Sequence, residues 1–257
     1  MQSAIKIKMK FLWAMILLCF PFRELLPNDA EPQFPVERIS AHDYKKPYHM
    51  DFYAGFDSLY FSEGRDNLQN AGIGIGSIEM GYKFIYMGAW YANSPKKPYQ
   101  EGQLGFGITH FFNEWKAYLG TTFLWMSANP LQDYEIQSGV HGSNLFYNIS
   151  LDADIYYSFF SQGAYLLLSA HLLWDWFWQT TWTVTVFSGQ NYHYVPDAHT
   201  GLDSIGSRLE MERSITEHFS WLIHITNSFA IHKNTAKPGD LPLRNLVYVG
   251  LGMIYSL

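Results

Sequence analysis

The stretch Gln103–Met126, QLGFGITHFFNEWKAYLGTTFLWM, limits the chain to few folds. In its first arm Leu104, Phe106, Ile108 and Phe112 alternate with Gln103, Gly105, Gly107 and Thr109. Asn113 and Glu114 make a short polar break. In the second arm Trp115, Ala117, Leu119, Phe123 and Trp125 alternate with Lys116, Tyr118, Gly120 and Thr122. A period of two sends successive side chains to opposite faces, so both arms are strands. Each arm is about ten residues, the length a tilted strand needs to cross a bilayer. One face is apolar and aromatic and the other small and polar, the pattern of a barrel with lipid outside and a polar lumen inside.

The rest of the chain is compatible with that pattern. Aromatics make up 18% of the 257 residues and charged residues only 16%, which suits interfacial aromatic girdles. The net charge of −6 provides no basic footprint for nucleic acid. The single cysteine, Cys19, excludes a disulfide framework or a cysteine metal site. Lys6, Lys8 and Lys10 precede a short apolar run, Phe11–Phe22, and together these read as a secretory signal within residues 1–30. Ala30 marks a candidate cleavage site; the bulky Leu18 before Cys19 argues against a lipidated cysteine, and an uncleaved apolar N-terminus is the alternative. Beyond the signal no apolar run reaches the 18 residues a spanning helix needs. Residues 31–48, with Pro32, Pro35 and Pro47, read as a flexible periplasmic leader, and residues 49–257 as the barrel.

From His49 onward strand patterns recur between turn signals. Strands are expected at 51–61, 71–82, 84–93, 103–112, 115–126, 144–151, 155–160, 164–173, 180–188, 203–215, 219–231 and 245–257. Residues 62–70, 94–102, 127–143, 189–202 and 232–244 are read as polar loops, and 174–179 as an aromatic turn. The expected class is all-β: an antiparallel up-and-down transmembrane β-barrel of about 12 strands. Ten strands result if 144–160 is one strand and 180–188 is loop. Short turns at Asn113-Glu114 and Thr216–His218 alternate with the longer loops, as periplasmic turns and outer loops do. Gly72, Gly74 and Gly76 share one strand face, where a neighbouring group could approach closely.

In the last segment Val247, Val249, Leu251, Met253, Tyr255 and Leu257 alternate with Tyr248, Gly250, Gly252 and Ser256. It resembles the C-terminal strand by which the barrel-assembly machinery recognises outer-membrane barrels, with Leu257 in place of the usual aromatic. Ser62-Glu63-Gly64-Arg65, Gly88-Ala89-Trp90-Tyr91 and Gly163-Ala164-Tyr165 add to this. Together, over residues 50–257, they resemble a family of small porin-like barrels of Gram-negative bacteria. The resemblance implies an outer-membrane barrel in contact with lipid, and names no substrate.

Alternation assigns a lumen face. Arg208, Glu210 and Glu212 lie opposite Ile205, Leu209 and Met211; His224 lies opposite Ile223 and Ile225. Lys116 and Tyr118 share an inner face, as do Asp51 and Asp57. Charges there must be paired or wet. They form either a structural ladder or a ring that biases passing small solutes. A hydrolase or acyltransferase at the outer rim would need Ser or Asp beside His; His193, Asp197, His199 and Ser204 are candidates, with no G-x-S-x-G elbow to frame them. A soluble periplasmic β-sandwich that binds a ligand is the third alternative. The histidine spacings match no zinc pair, no nucleotide fingerprint is present, and no cofactor or metal is expected. Trp174, Trp176, Phe177 and Trp178 fit a membrane–water girdle.

Overall fold

The computed structural model describes residues 48–126, 132–146 and 148–257. The expected signal, Cys19, the Ala30 cleavage site and the leader up to residue 47 lie outside the described residues. The strands are β1 (Tyr48–Asp57), β2 (Phe61–Ser62), β3 (Arg65–Asp66), β4 (Ile73–Tyr82), β5 (Ile85–Asn93), β6 (Gln100–Phe112) and β7 (Trp115–Met126). They continue as β8 (Gln132–Phe146), β9 (Ile149–Ser158), β10 (Gly163–Trp176), β11 (Thr180–Tyr192), β12 (Gly201–Ser214), β13 (Phe219–Ala230) and β14 (Leu246–Ser256). Twelve of them close an antiparallel barrel in which each strand pairs with its chain neighbours, and β2–β3 is a separate hairpin. Closure is made by β1 against β14, with Asp51 opposite Ser256 and Asp57 opposite Gly250. A closed sheet leaves no edge, so every spanning backbone group is paired within the wall.

The outer face is apolar and uncovered. Phe106, Ile108, Val186, Ile205, Ile223, Ile225, Val249 and Leu251 are all exposed. Their in-strand neighbours Gly206, His224, Thr226 and Gly250 are buried toward the lumen. A soluble sandwich would bury such a face against a second sheet; here no second sheet covers it among the described residues. Trp176, Phe177 and Trp178 project at the end of β10 and the turn after it, 60%, 71% and 80% exposed, and the aromatic turn expected at 174–179 is shorter because Trp174 and Trp176 belong to β10.

The strand count is that expected, but one region is laid out differently. Residues 127–143, read as a loop, contain most of β8, and the expected strand at 144–151 straddles the turn between β8 and β9. On β8 the inner positions are Asp133, Glu135, Gln137 and His141. A strand whose lumen face is this polar, with Tyr134, Ile136, Ser138 and Val140 outside, reads as a loop when apolar content is the signal. The expected strands at 144–151 and 155–160 are replaced by the single strand β9, so the two errors cancel in the count. The glycine reading holds in part: a Cβ on Gly72 would meet the Phe56 ring at 2.5 Å and one on Gly74 the Asn93 side chain at 3.2 Å, whereas one on Gly76 would meet only a backbone oxygen at 4.0 Å.

The two ends of the barrel differ. At one end lie both chain ends of the sheet and the short turns at 83–84, 113–114, 177–179 and 215–218. At the other lie the connections 58–72, 94–99, 159–162, 193–200 and 231–245. By length the second end is the outer one. All three buried apolar clusters among the described residues sit there.

Candidate functional site: the lumen and its outer plug

The connection 58–72, of which 62–70 is the expected polar loop and 58–61 the expected end of the first strand, turns into the barrel. Its tip is the hairpin β2–β3, built on Ser62-Glu63-Gly64-Arg65. Glu63 and Gly64 both have positive φ, 44° and 75°, the requirement of a two-residue type I′ hairpin. Gly64 tolerates that conformation freely; Glu63 adopts it at a cost, which the surrounding contacts must offset.

Those contacts span the lumen. Phe61 packs on Phe187 of β11 and Tyr248 of β14, with ring centres 6.2 and 5.7 Å apart. Tyr60 donates to Glu101 of β6 at 2.8 Å. Arg65 is fully buried; Nη1 meets Asp203 of β12 at 2.6 Å, Nη2 meets Asp240 at 3.4 Å, and Nε donates to the Gly239 carbonyl at 2.8 Å. Leu59, Leu68 and Ala71 bury the flanks of the loop. The hairpin therefore touches opposite walls across the outer mouth.

Two further loops clamp it. His199 Nδ1 holds Asp240 at 2.8 Å, its Nε2 lies 3.1 Å from the Leu202 carbonyl, and Asp203 is 3.2 Å away. Burial would raise the Asp240 carboxyl, but the backbone N–H groups of Asn234 and His199, with the His199 ring, hold it below the usual range. Lys237 donates to the Ala198 carbonyl at 2.8 Å, and the backbone N–H of Asp66 to Pro242 at 3.1 Å. Tyr194 packs on Tyr165 and donates to Glu135. These residues occupy the rim proposed for an enzyme: His199 spends its ring on Asp240, Asp203 and Leu202, and Ser204 is buried behind it.

The inner half of the lumen is polar. His224 Nε2 lies 3.0 Å from Asp57 across the closure, and a side chain on Gly250 would clash with both. Arg208 meets Glu210 at 2.8 Å within β12. Tyr118 donates to Asp154 at 2.9 Å, and Lys116 sits 5.9 Å from the Tyr118 ring centre. Asp51 faces Glu79 across β1–β4, and Glu212 faces Thr181 and Leu222. His141 bonds Asp154 at 2.8 Å and lies 3.7 Å from Asp152, which also takes His171 at 2.8 Å. Among the described residues no group of three His, Cys, Asp or Glu side chains is placed to hold a metal ion.

Sequence reasoning missed the plug residues Tyr60, Glu63, Arg65, Asp203 and Asp240, and the inner pairs on Asp152 and Asp154. Gly64 suits a two-residue turn, but nothing local says that the hairpin points inward. Asp152 and Asp154 do alternate with Leu151, Ala153 and Ile155, a period hidden by the misplaced strand boundary.

No family model matches the sequence, and no curated protein matches it. Solved structures do. The chain is similar to the KdgM porin, with a TM-score of 0.54 at 10% identity over 81% of this chain and 99% of that one. It is similar to the NanC porin, with a TM-score of 0.55 at 9% identity over 81% and 100%. At such identity the likeness speaks for the fold: this chain has the fold of outer-membrane porins.

Proposed function

We propose that the barrel sits in the outer membrane of a Gram-negative bacterium and passes small polar solutes without chemical turnover. The observation that carries this reading is the two-faced closed wall, uncovered apolar side chains outside and ion pairs inside. Residues 1–30 serve as the signal and 31–48 as the leader. Lipid covers the outer face, and Val247–Leu257 is the segment read by the assembly machinery. In the inner lumen Asp51, Asp57, Glu210 and Glu212 outweigh Lys116 and Arg208, so the lumen favours cations; Tyr118 and His224 fix the geometry of Asp154 and Asp57. The test is single-channel conductance of the refolded protein in a planar bilayer, with reversal potential under a salt gradient. Discrete steps reversing toward the cation potential are expected. Stable insertion without conductance at any pH or in any plug variant would rule the pore out. A second reading, a sealed structural barrel, is favoured by the plug and predicts that silent outcome.

A further inference from the structure

The inner His–Asp pairs, the aromatic girdle and the plug are the strongest features left unassigned, and the plug carries furthest. Its tip places the Glu63 carboxyl, 1% exposed, inside the mouth. One oxygen takes the Ser62 hydroxyl; the other, Oε2, is buried with no hydrogen-bond partner. The groups around it come from several elements. Arg65 is on its own hairpin, but its guanidinium is committed to Asp203 and Asp240. On the wall, Glu101 of β6 accepts from Tyr60 and Tyr99, and Glu135 of β8 accepts from Tyr194; the charges of both acids oppose a further negative charge on Glu63. A carboxylate there would be desolvated, half-bonded and faced by two more acids, whereas a carboxylic acid fits.

We propose that the β2–β3 hairpin is a proton-operated gate on the pore: it stays seated while Glu63 carries its proton and leaves the mouth when that proton is lost. This rests on the porin reading. Burial, reinforced by Glu135 and Glu101 against the pull of Ser62 and Arg65, pushes the seated carboxyl up to about 8. An unseated hairpin in water returns it to its ordinary value near 4.5. The seated state therefore binds the proton more tightly. Seating is strongest below the unseated value, weakens as pH rises through the window between the two, and is weakest above about 8. Acid closes the pore and alkali opens it.

The test is bilayer conductance of the full mature chain from pH 5 to pH 9, for wild type, Glu63→Gln and Arg65→Ala. Wild-type open probability should rise at least about tenfold across the window, given a shift of this size. Glu63→Gln, nearly isosteric and always neutral, should stay closed and lose the pH response. Arg65→Ala, which breaks the anchor to Asp203 and Asp240, should conduct at pH 5. Wild-type conductance independent of pH overturns the gate, as does a pH response that survives in Glu63→Gln. Silence in wild type with steps in Arg65→Ala leaves the pore standing and removes the proton control. Silence in all three, with heat-modifiable mobility showing folded barrels, removes both the gate and the pore.

Discussion

The two halves of the lumen are built from the same strands but by different physics. The outer half is dry. It holds all three buried apolar clusters among the described residues, and the Arg65 anchor of its hairpin is shielded from water along with Asp203 and Asp240, with Asp66 of the same hairpin paired to Arg244. Among the described residues the inner half has no such cluster; its Arg208–Glu210 pair keeps side-chain exposures of 25% and 15%. A buried pair is costly to break, because its survivor is left charged and unsolvated. A partly hydrated pair contributes little, because water replaces either partner. The ion pairs buried on both sides that hold the hairpin thus lie at the mouth.

The strongest way to break this contrast is Arg65→Ala. It should weaken seating of the hairpin by about 3–5 kcal/mol, since Asp203 then stays buried without its cation. Protease cleavage within residues 58–72 should appear while the barrel keeps its heat-modifiable mobility; protection equal to wild type would show that the remaining contacts, Tyr60–Glu101 and Arg244–Asp66 among them, hold the plug without Arg65. Next in size, Ile225→Arg places a charge on the lipid face and should destabilise the whole barrel by about 2–4 kcal/mol in a denaturant titration in lipid vesicles. An unchanged midpoint would mean that this face does not meet lipid. Gly120→Ala should cost about 1–3 kcal/mol, because the new methyl group strikes the Tyr86 hydroxyl that rests on that strand. The same titration reads it. The smallest stability effect belongs to the inner pair: Glu210→Gln should shift the midpoint by less than about 1 kcal/mol yet move the reversal potential away from cations. A large loss of stability with no change in selectivity would assign the pair to the fold alone.

These contrasts also explain what was legible beforehand. The assignment of Asp51, Asp57, Lys116, Tyr118, Arg208, Glu210, Glu212 and His224 to one strand face rests on alternation, which is a local property of a strand. The partner that each of them meets is not local: His224 and Asp57 are 167 positions apart and touch only because β1 closes on β14. The β8 error has a local cause, an acidic inner face that hides the strand period.

By itself the sequence determined the two-faced strands, their alternation of short and long connections and hence a closed transmembrane wall, because a period of two and the length of a bilayer crossing are both written residue by residue. Only the tertiary structure decided that the first outer loop turns inward. Arg65 lies 138 positions from Asp203 and 175 from Asp240, and the free energy that seats it comes from water excluded jointly by three loops and the wall. No single segment carries that quantity, so none of them displays it.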